Sequence, residues 1–393
     1  MKRILPLLLI LCVPLLGDDK DKPLQKDLKS LKALAEKGSV NAQLRLSTMF
    51  AEEQDFKEAF MWCLKAARQE HAEAQFNLGQ MYRDGQGVPR NSEKAVEWYR
   101  KAAEQGLALG QFNLGAMYRD GLGVEEDLEK AVRWWRKAAG EGFFAAQFSI
   151  GDAYKHGKGV EQDSKKSVEW FRKAAQQGFA IAQEQLAESY LLGEGIEKDS
   201  KKAVKWFHKA ADQGVAKAQH NLGVMYRDGL GVKKDLEEAV RWCRKAAELG
   251  QAEAQYNLGR MYRRGDGILK DYKEAVKWYR KAAEQGDAMA QYNLGVAYGG
   301  GQGVEQDFQE AMKWLQKAAE QGNAKGQYNI GVMYHHGQGV EQDFKEAVRW
   351  YRKSAGQEDA MAQYNLGMMY YNGQGVEQDF KEGFKWFQKA ADQ

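Results

Sequence analysis

Apolar residues recur along most of this chain at the spacing of a helix face. Ala74, Leu78 and Tyr82 lie at offsets of zero, four and eight, which predicts an amphipathic helix, called helix A. A second run that includes Val96 and Tyr99 has the same kind of spacing and predicts helix B. Because no segment alternates with a period of two over the length of a strand, the sequence predicts an all-α fold.

This pair of helices repeats every 36 residues. Two series mark the period, one of glutamine in helix A and one of tryptophan in helix B. The glutamines are Gln75, Gln111, Gln147, Gln183, Gln219, Gln255, Gln291, Gln327 and Gln363. The tryptophans are Trp62, Trp98, Trp134, Trp170, Trp206, Trp242, Trp278, Trp314, Trp350 and Trp386. Since one pair cannot bury its apolar face alone, neighbouring pairs must stack, and we predict a solenoid of about ten helix-turn-helix repeats.

Glycines and acidic residues indicate where the helices end and begin. Residues 84–88 read Asp-Gly-Gln-Gly-Val, and the two glycines allow the positive φ of a sharp chain reversal. Asp307 with Glu310 three residues later predicts an N-cap with capping-box geometry at the start of a helix B. A glycine inside helix A, such as Gly79, costs about 1 kcal/mol relative to alanine, so we expect another helix to pass too close there for a side chain.

The N-terminal region has the pattern of an export signal. Residues 1–17 combine a basic head with an apolar stretch that is too short to span a bilayer, which is typical of a signal peptide. We expect residues 18–23 to form a flexible tether, residues 24–38 an N-terminal capping helix, and residues 39–393 the repeats. The sequence therefore predicts an exported protein, periplasmic or secreted, with no transmembrane segment in the mature chain.

The final helix B contains Trp386 and Phe387, and no polar helix follows it in the sequence. We expect that edge to dock onto another molecule, and homo-association through it is one hypothesis.

Charge and cysteine content restrict the classes of partner. The 58 basic and 55 acidic residues are interleaved, which gives no footprint for nucleic acid. After removal of the signal only Cys63 and Cys243 remain, too few for a disulfide framework, and we expect both to fill packed helix positions.

The repeated unit resembles the Sel-one-like repeat (SLR), a relative of the tetratricopeptide repeat. The typical unit reads Ala-x-x-Gln-(Phe or Tyr)-Asn-Leu-Gly-x-x-Tyr, then Gly-x-Gly-Val-x-x-Asp, then Ala-x-x-Trp-x-x-Lys-Ala-Ala, and the resemblance covers residues 40–393. It implies a right-handed superhelix with helix A on its concave face, used as a scaffold or adaptor for protein complexes. It implies no shared catalytic residue.

The resemblance also suggests binding residues, because in related tetratricopeptide domains an asparagine before Leu-Gly grips the backbone of a bound peptide. The matching asparagines here are Asn77, Asn113, Asn221, Asn257, Asn293, Asn329 and Asn365. The aromatic residues beside them include Phe76, Phe112, Tyr256, Tyr292, Tyr328 and Tyr364. An amide offers a donor and an acceptor to an extended peptide, and an aromatic ring offers rigid contact area. The residues leave two roles open for both sets, a peptide-binding groove and packing between repeats.

One unit departs from this pattern on the same face. It carries Glu184 and Glu188, and the following unit carries His220 where others have an aromatic residue. These three residues are a candidate specificity patch, whereas neutral drift is the favoured alternative.

Candidate chemistry is sparse, so we predict a non-enzymatic scaffold without cofactor or metal. The Gly-x-Gly loops follow helices and lack a third glycine, which disfavours a dinucleotide site. His335 and His336 have no Cys or acidic partner at metal-ligand spacing. Some exported cysteine-rich relatives are described as β-lactamases or β-lactam binders, and this alternative stays open. The absence of paired cysteines and of a Ser-x-x-Lys motif disfavours it.

Overall fold

The computed structural model describes residues 24–393 as twenty-one α-helices, and these residues contain no β-strand. The predicted all-α architecture of paired, stacked helices is confirmed. The signal peptide and tether predicted for residues 1–23 lie outside the described residues. The chain forms two compact units, one ending at Ala146 and the other running from Gln147 to Gln393. This division falls within the eighth helix.

Helices of even number are helix A and those of odd number after the first are helix B. Through the eighth, they are α1 (Leu24–Glu36), α2 (Val40–Glu52), α3 (Phe56–Ala67), α4 (Ala72–Asp84), α5 (Ser92–Glu104), α6 (Ala108–Asp120), α7 (Leu128–Gly140) and α8 (Phe144–His156). The rest are α9 (Ser164–Gln176), α10 (Ala180–Leu192), α11 (Ser200–Asp212), α12 (Ala216–Asp228), α13 (Leu236–Glu248), α14 (Ala252–Arg264), α15 (Tyr272–Glu284), α16 (Ala288–Gly300), α17 (Phe308–Glu320), α18 (Ala324–His336), α19 (Phe344–Ala355), α20 (Ala360–Asn372) and α21 (Phe380–Ala391).

The two loop glycines perform different tasks. Gly85 ends α4 in the left-handed region at φ 77°, and its amide donates to the carbonyl of Met81. Gly87 also has positive φ, and a Cβ atom there would overlap the carbonyl of Phe56 in the preceding helix B. The first glycine therefore terminates helix A, and the second allows the loop to rest on the repeat before it.

The glycine within helix A lies against its own helix B, as expected. A Cβ atom at Gly259 would lie 2.7 Å from Cδ1 of Tyr279, whose side chain is 1% exposed. The aromatic ring at this helix B position thus replaces the missing side chain and fills the interface between the two helices.

The N-cap prediction for helix B is confirmed, but the capping box is not. Oδ1 of Asp307 accepts hydrogen bonds from the amides of Gln309 and Glu310, each at 2.9 Å. The amide of Asp307 donates instead to the carbonyl of Tyr298 at 3.0 Å, within the turn after helix A. The carboxylate of Glu310 accepts from Nε1 of Trp314 and Nζ of Lys313, so it turns along the helix and not back toward the cap.

Side chains of helix B are buried to different extents. Tyr279 is enclosed, whereas Trp278 is half-buried and has Nζ of Lys281 4.1 Å above its ring. Lys281 is also in the last turn of α15, where a cation offsets the helix dipole.

Cys243 is buried, and burial raises the pKa of its thiol to about 12, which fits the packing role predicted for it.

The periodic glutamine joins neighbouring repeats. Nε2 of Gln255 donates to the carbonyl of Ala247 in the preceding helix B at 3.1 Å. Its Oε1 accepts from Nε2 of Gln285, which follows its own helix B, at 2.8 Å. The side chain of Gln255 is 4% exposed, so a single buried amide connects three helices. We call this arrangement the glutamine bridge.

The glutamine bridge needs a second glutamine 30 residues downstream. Gln219 has Leu249 at that position, and Gln111 has Glu141. In both cases Nε2 still donates to the preceding helix B, at 3.0 and 3.2 Å respectively. The buried Oε1 of both glutamines has no hydrogen-bond partner within the described residues. These two repeats therefore have an incomplete bridge.

Candidate functional site

The predicted asparagines lie along helix A, and we call them with the aromatic residues beside them the helix-A stripe. Asn77 and Asn113 belong to the first compact unit, and the other five belong to the second. Asn113 and Asn293 are buried, at 8% and 7% exposure, and the others are half-buried. The half-buried asparagines therefore expose part of their amide groups to a ligand.

The two buried asparagines bond to their own helix. Nδ2 of Asn113 donates to the carbonyl of Leu109 at 2.9 Å, and Nδ2 of Asn293 donates to the carbonyl of Met289 at 2.7 Å. Oδ1 of Asn113 also accepts from Arg83 of the preceding helix A at 3.4 Å.

In the second unit, other asparagines bond to the ring one repeat earlier. Nδ2 of Asn365 donates to the hydroxyl of Tyr328 at 3.4 Å, and Asn329 lies close enough to the hydroxyl of Tyr292 to oppose the rise that burial causes in the pKa of that tyrosine. Nδ2 of Asn257 lies 2.8 Å from Nε2 of His220, so the histidine takes the place of the tyrosine. Burial lowers the pKa of His220, which favours the neutral ring that can accept from the amide.

The aromatic residues of the stripe also pack against helix B. The ring centroids of Phe76 and Tyr99 are 5.8 Å apart, and those of Tyr328 and Tyr351 are 5.9 Å apart. Phe76 is buried, and Phe112, Tyr256, Tyr292 and Tyr328 are half-buried. Tyr364 is 50% exposed.

Asparagines and rings thus hold neighbouring helices together in this structure. An amide has two N–H donors and an oxygen with two lone pairs, so one bond to a neighbour leaves capacity for a ligand. The peptide-binding role of the helix-A stripe stays a prediction, now with defined geometry.

The candidate specificity patch is an ion-pair network in the second unit. Nζ of Lys217 lies 2.9 Å from Oε1 of Glu184 and 3.0 Å from Oε1 of Glu188. Lys155 lies 3.6 Å from Oε2 of Glu188 and donates to Gln185 at 2.8 Å. Two carboxylates face two ammonium groups, so the formal charges cancel. These contacts outweigh the cost of burial for Glu188 and hold its pKa below the usual range.

His220 does not share these bonds, since its ring is paired with Asn257. The structure therefore places Glu184 and Glu188 in one network and His220 in the helix-A stripe. Sequence reasoning missed Lys155 and Lys217, although the signal was available. Lys217 follows Glu184 by 33 residues, close to one period, and so lies on the adjacent helix A.

The described part of the chain offers little for other chemistry. Residues 24–393 contain no group of three or more His, Cys, Asp or Glu side chains arranged to hold a metal ion. Among the helices of those residues, none has the length and apolar character needed to cross a bilayer.

Stacked helix pairs with a period of 36 residues, a buried glutamine in each helix A and a double-glycine turn define an all-α helical-repeat protein. The sequence model of the Sel1 repeat matches residues 40–71, 72–107, 108–143, 144–179, 180–215, 216–251, 252–287, 288–323, 324–359 and 360–393. The chain therefore belongs to the Sel1 repeat family, and the family resemblance seen in the sequence is confirmed.

Two solved structures illustrate the similarity. A protective antigen of uropathogenic Escherichia coli with an SLR fold is 38% identical, with a TM-score of 0.88, over 93% of this chain and 79% of that protein. A Sel1 repeat protein from Oxalobacter formigenes is 35% identical, with a TM-score of 0.58, over 76% of this chain and 86% of that protein. No curated protein matches the chain at a significant level.

Proposed function

We propose that this chain is a non-enzymatic scaffold that binds a protein or peptide along the helix-A stripe. The observation that carries the proposal is the ladder of amides in consecutive repeats of the second unit. Asn365 is held by the Tyr328 hydroxyl of the previous repeat, Asn329 lies beside the equivalent hydroxyl of Tyr292, and both asparagines are half-buried. An extended peptide that passes along the stripe can meet a half-buried amide in each of these two consecutive repeats.

We further propose that the scaffold acts in the cell envelope or outside the cell. The basic head and short apolar stretch of residues 1–17 support export. One similar protein is a protective antigen of a pathogenic bacterium, which supports the same location.

Paired substitutions test the stripe directly. A phage-displayed peptide library is selected on the immobilised protein, and the dissociation constants of the enriched peptides are measured by fluorescence anisotropy. Asn329→Ala combined with Asn365→Ala should weaken binding about tenfold, because two hydrogen bonds of roughly 0.5–1.5 kcal/mol each are lost. The matched control is Gln316→Ala combined with Gln388→Ala, which removes two exposed amides from helix B.

The unfolding midpoint in urea separates binding from packing. Because Asn365 also donates to Tyr328, we expect the asparagine pair to lower the midpoint, while the protein stays folded in the absence of urea and its affinity for the peptides falls. Equal affinity of the asparagine pair and the glutamine control, with the midpoint lowered only in the asparagine pair, would show that the asparagines only pack.

An enzymatic function of the β-lactamase type is the alternative from a different class. The scaffold proposal predicts no turnover of nitrocefin by the purified protein, and sustained turnover would replace it.

A self-associating structural role is favoured by one observation. Phe380 and Phe384 of α21 are 56% and 61% exposed, whereas the position equivalent to Phe384 is buried in α19, where Val348 is 2% exposed. Sedimentation velocity of the wild type and of Phe384→Glu tests this role. A concentration-dependent dimer that the substitution abolishes supports it, and a monomer in both cases removes it.

A further inference from the structure

The repeat of residues 252–287 carries two consecutive arginines at the end of helix A, which no other repeat has there. In three other repeats an arginine at this point is paired with the aspartate that follows it. These pairs are Arg83 with Asp84, Arg119 with Asp120, and Arg227 with Asp228, each with an N–O distance of 2.7 Å. The same two positions in α14 are Arg263 and Arg264. The local formal charge therefore changes from zero to plus two.

A third arginine lies on the same side of α14. Arg260 precedes Arg263 by three residues and Arg264 by four, the spacings that bring side chains together on a helix. Within the described residues, none of these three side chains has a carboxylate within 4 Å, although the pKa of Asp228, which Arg227 lowers most, is lowered further by the charge of Arg260. We call Arg260, Arg263 and Arg264 the arginine cluster.

The side chain of Tyr279 lies beside the arginine cluster, since Tyr279 and Arg263 line one small cavity. Burial raises the pKa of Tyr279 to about 12, and the positive charges of all three arginines oppose that rise. Both the Tyr279 hydroxyl and Nε of Arg263 are buried without a hydrogen-bond partner in the described residues. The arginine cluster is thus a concentrated positive charge with unused donor capacity.

The following loop adds an exposed apolar side chain. Leu269 is 89% exposed, at a position where other repeats carry an acidic residue. Those residues are Glu125, Glu161, Glu197, Glu305, Glu341 and Glu377. Lys270 follows Leu269 in the loop. The Cβ of Lys270 lies 3.5 Å from the point that a Cβ on Gly265 would occupy, so this part of the loop lies close to the end of α14. This repeat has therefore replaced acidic residues with arginine and leucine at both ends of the turn.

The adjoining helix A is uncharged on the corresponding face. Arg263, Asn293 and Val296 line one small cavity, so the end of α14 and the middle of α16 are neighbours. Val296 is half-buried, and Met289 on the same helix is 41% exposed. The arginine cluster therefore lies directly beside the uncharged face of α16.

We propose that the arginine cluster and the adjoining face of α16 bind a peptide segment that combines acidic and apolar residues. Carboxylates of the segment pair with the guanidinium groups of Arg260 and Arg264. Its apolar side chains lie on Leu269 and on the Met289–Val296 face. A peptide is favoured over a lipid surface because half-buried Val296 is reachable by a single side chain and not by a flat bilayer. The inference rests on the proposed function and specifies the chemistry of its partner.

The repeat pattern supplies a variant that tests this proposal. Arg264→Asp recreates the Arg-Asp pair found in three other repeats, so the fold should tolerate it, which a urea unfolding curve checks. The control is Lys201→Asp, which makes the same change of charge at an exposed position in the first turn of α11. A second variant, Arg260→Ala, removes one guanidinium without adding a carboxylate.

The assay is selection of a phage-displayed peptide library on the wild-type protein, followed by anisotropy with the enriched peptides. We expect the peptides to be enriched in Asp and Glu beside apolar residues. We expect Arg264→Asp to weaken their binding about tenfold or more, Arg260→Ala to weaken it less, and Lys201→Asp to change it less than twofold. Binding should also weaken as salt is raised.

Each other outcome overturns a defined claim. Enriched peptides without an acidic bias, or peptides insensitive to Arg264→Asp, would overturn this inference and leave the proposed function intact. Failure to enrich any peptide would overturn the proposed function itself. Preferential binding to phosphatidylglycerol vesicles, lost in Arg264→Asp, would show a lipid partner and contradict the peptide.

Discussion

The incomplete glutamine bridge at Gln219 can be repaired by one substitution. Leu249 occupies the position that supplies the second amide in other repeats, and its backbone angles, φ −77° and ψ 1°, match those of Gln285, φ −81° and ψ −2°. Leu249→Gln therefore needs no change of backbone. The new Nε2 should donate to the buried Oε1 of Gln219, which has no partner among the described residues.

The expected gain combines the new hydrogen bond with the small loss of apolar burial at position 249. A net hydrogen bond contributes roughly 0.5–1.5 kcal/mol, and an unsatisfied buried acceptor costs about 1–3 kcal/mol. Leu249 is 58% exposed, so its removal gives up little apolar burial. We expect a net stabilisation of about 1–2 kcal/mol, which corresponds to amide exchange slowed about 5- to 30-fold.

Native-state hydrogen exchange is the appropriate assay, because a repeat array need not unfold in one step. Protection should increase for amides of α12 and α13. Leu249→Ala is the matched control, since it removes the leucine without supplying an amide. Equal exchange rates in Leu249→Gln and Leu249→Ala would refute the reasoning, because the bridge would then contribute nothing.

Three further substitutions probe other parts of the repeat. Glu358 adopts φ 64° at a position where most repeats have glycine. Glu358→Gly should therefore raise the free energy of unfolding, measured by urea titration, by about 1 kcal/mol. An unchanged free energy of unfolding would show that the backbone at Glu358 is not strained. Gly259→Ala should lower the free energy of unfolding by about 1–3 kcal/mol, because the new Cβ overlaps the ring of Tyr279. An unchanged free energy of unfolding would mean that α14 and α15 move apart at no cost. Burial lowers the pKa of His220, so its contribution to stability is complete above about pH 6.5 and declines as the pH falls toward the folded-state value. His220→Tyr should keep the bond to Asn257 and reduce the loss of stability between about pH 7 and 5, and an identical pH profile would exclude this role.

The period was sufficient to predict the architecture because each repeated residue has the same environment in every unit. The position of Gly259 predicted a close helix contact, and the contact with Tyr279 is its physical cause. The capping box at Asp307 was wrong because the amide of Asp307 already bonds to Tyr298 in the turn after helix A. That bond depends on the path of the loop, which the spacing of acidic residues does not specify.

The glutamine bridge shows what a period alone leaves undetermined. Gln255 was recognised as periodic, but its role depends on which helix ends face it. The bond from Gln285 could have been found as a second glutamine series offset by 30 residues, whereas the carbonyl of Ala247 belongs to the backbone and leaves no mark in the sequence.

The helix-A stripe illustrates a further limit of sequence reasoning. The pattern could not separate a groove from packing, since the half-buried Asn365 serves one neighbour and still has donors and lone pairs to offer. The arginine cluster was missed because Arg260, Arg263 and Arg264 are ordinary surface residues in composition. Comparison of each unit with the Arg-Asp pairs of the others makes the change in charge visible.

Site-specific photocrosslinking tests most directly whether helix A carries the binding surface. p-Benzoylphenylalanine is placed at Met289 or Met361, exposed on helix A, and in parallel at Lys277 or Lys313, exposed on helix B. With a peptide enriched on the wild-type protein, crosslinks should form from Met289 or Met361 and not from the lysine positions. Crosslinks confined to the helix B positions would contradict the account.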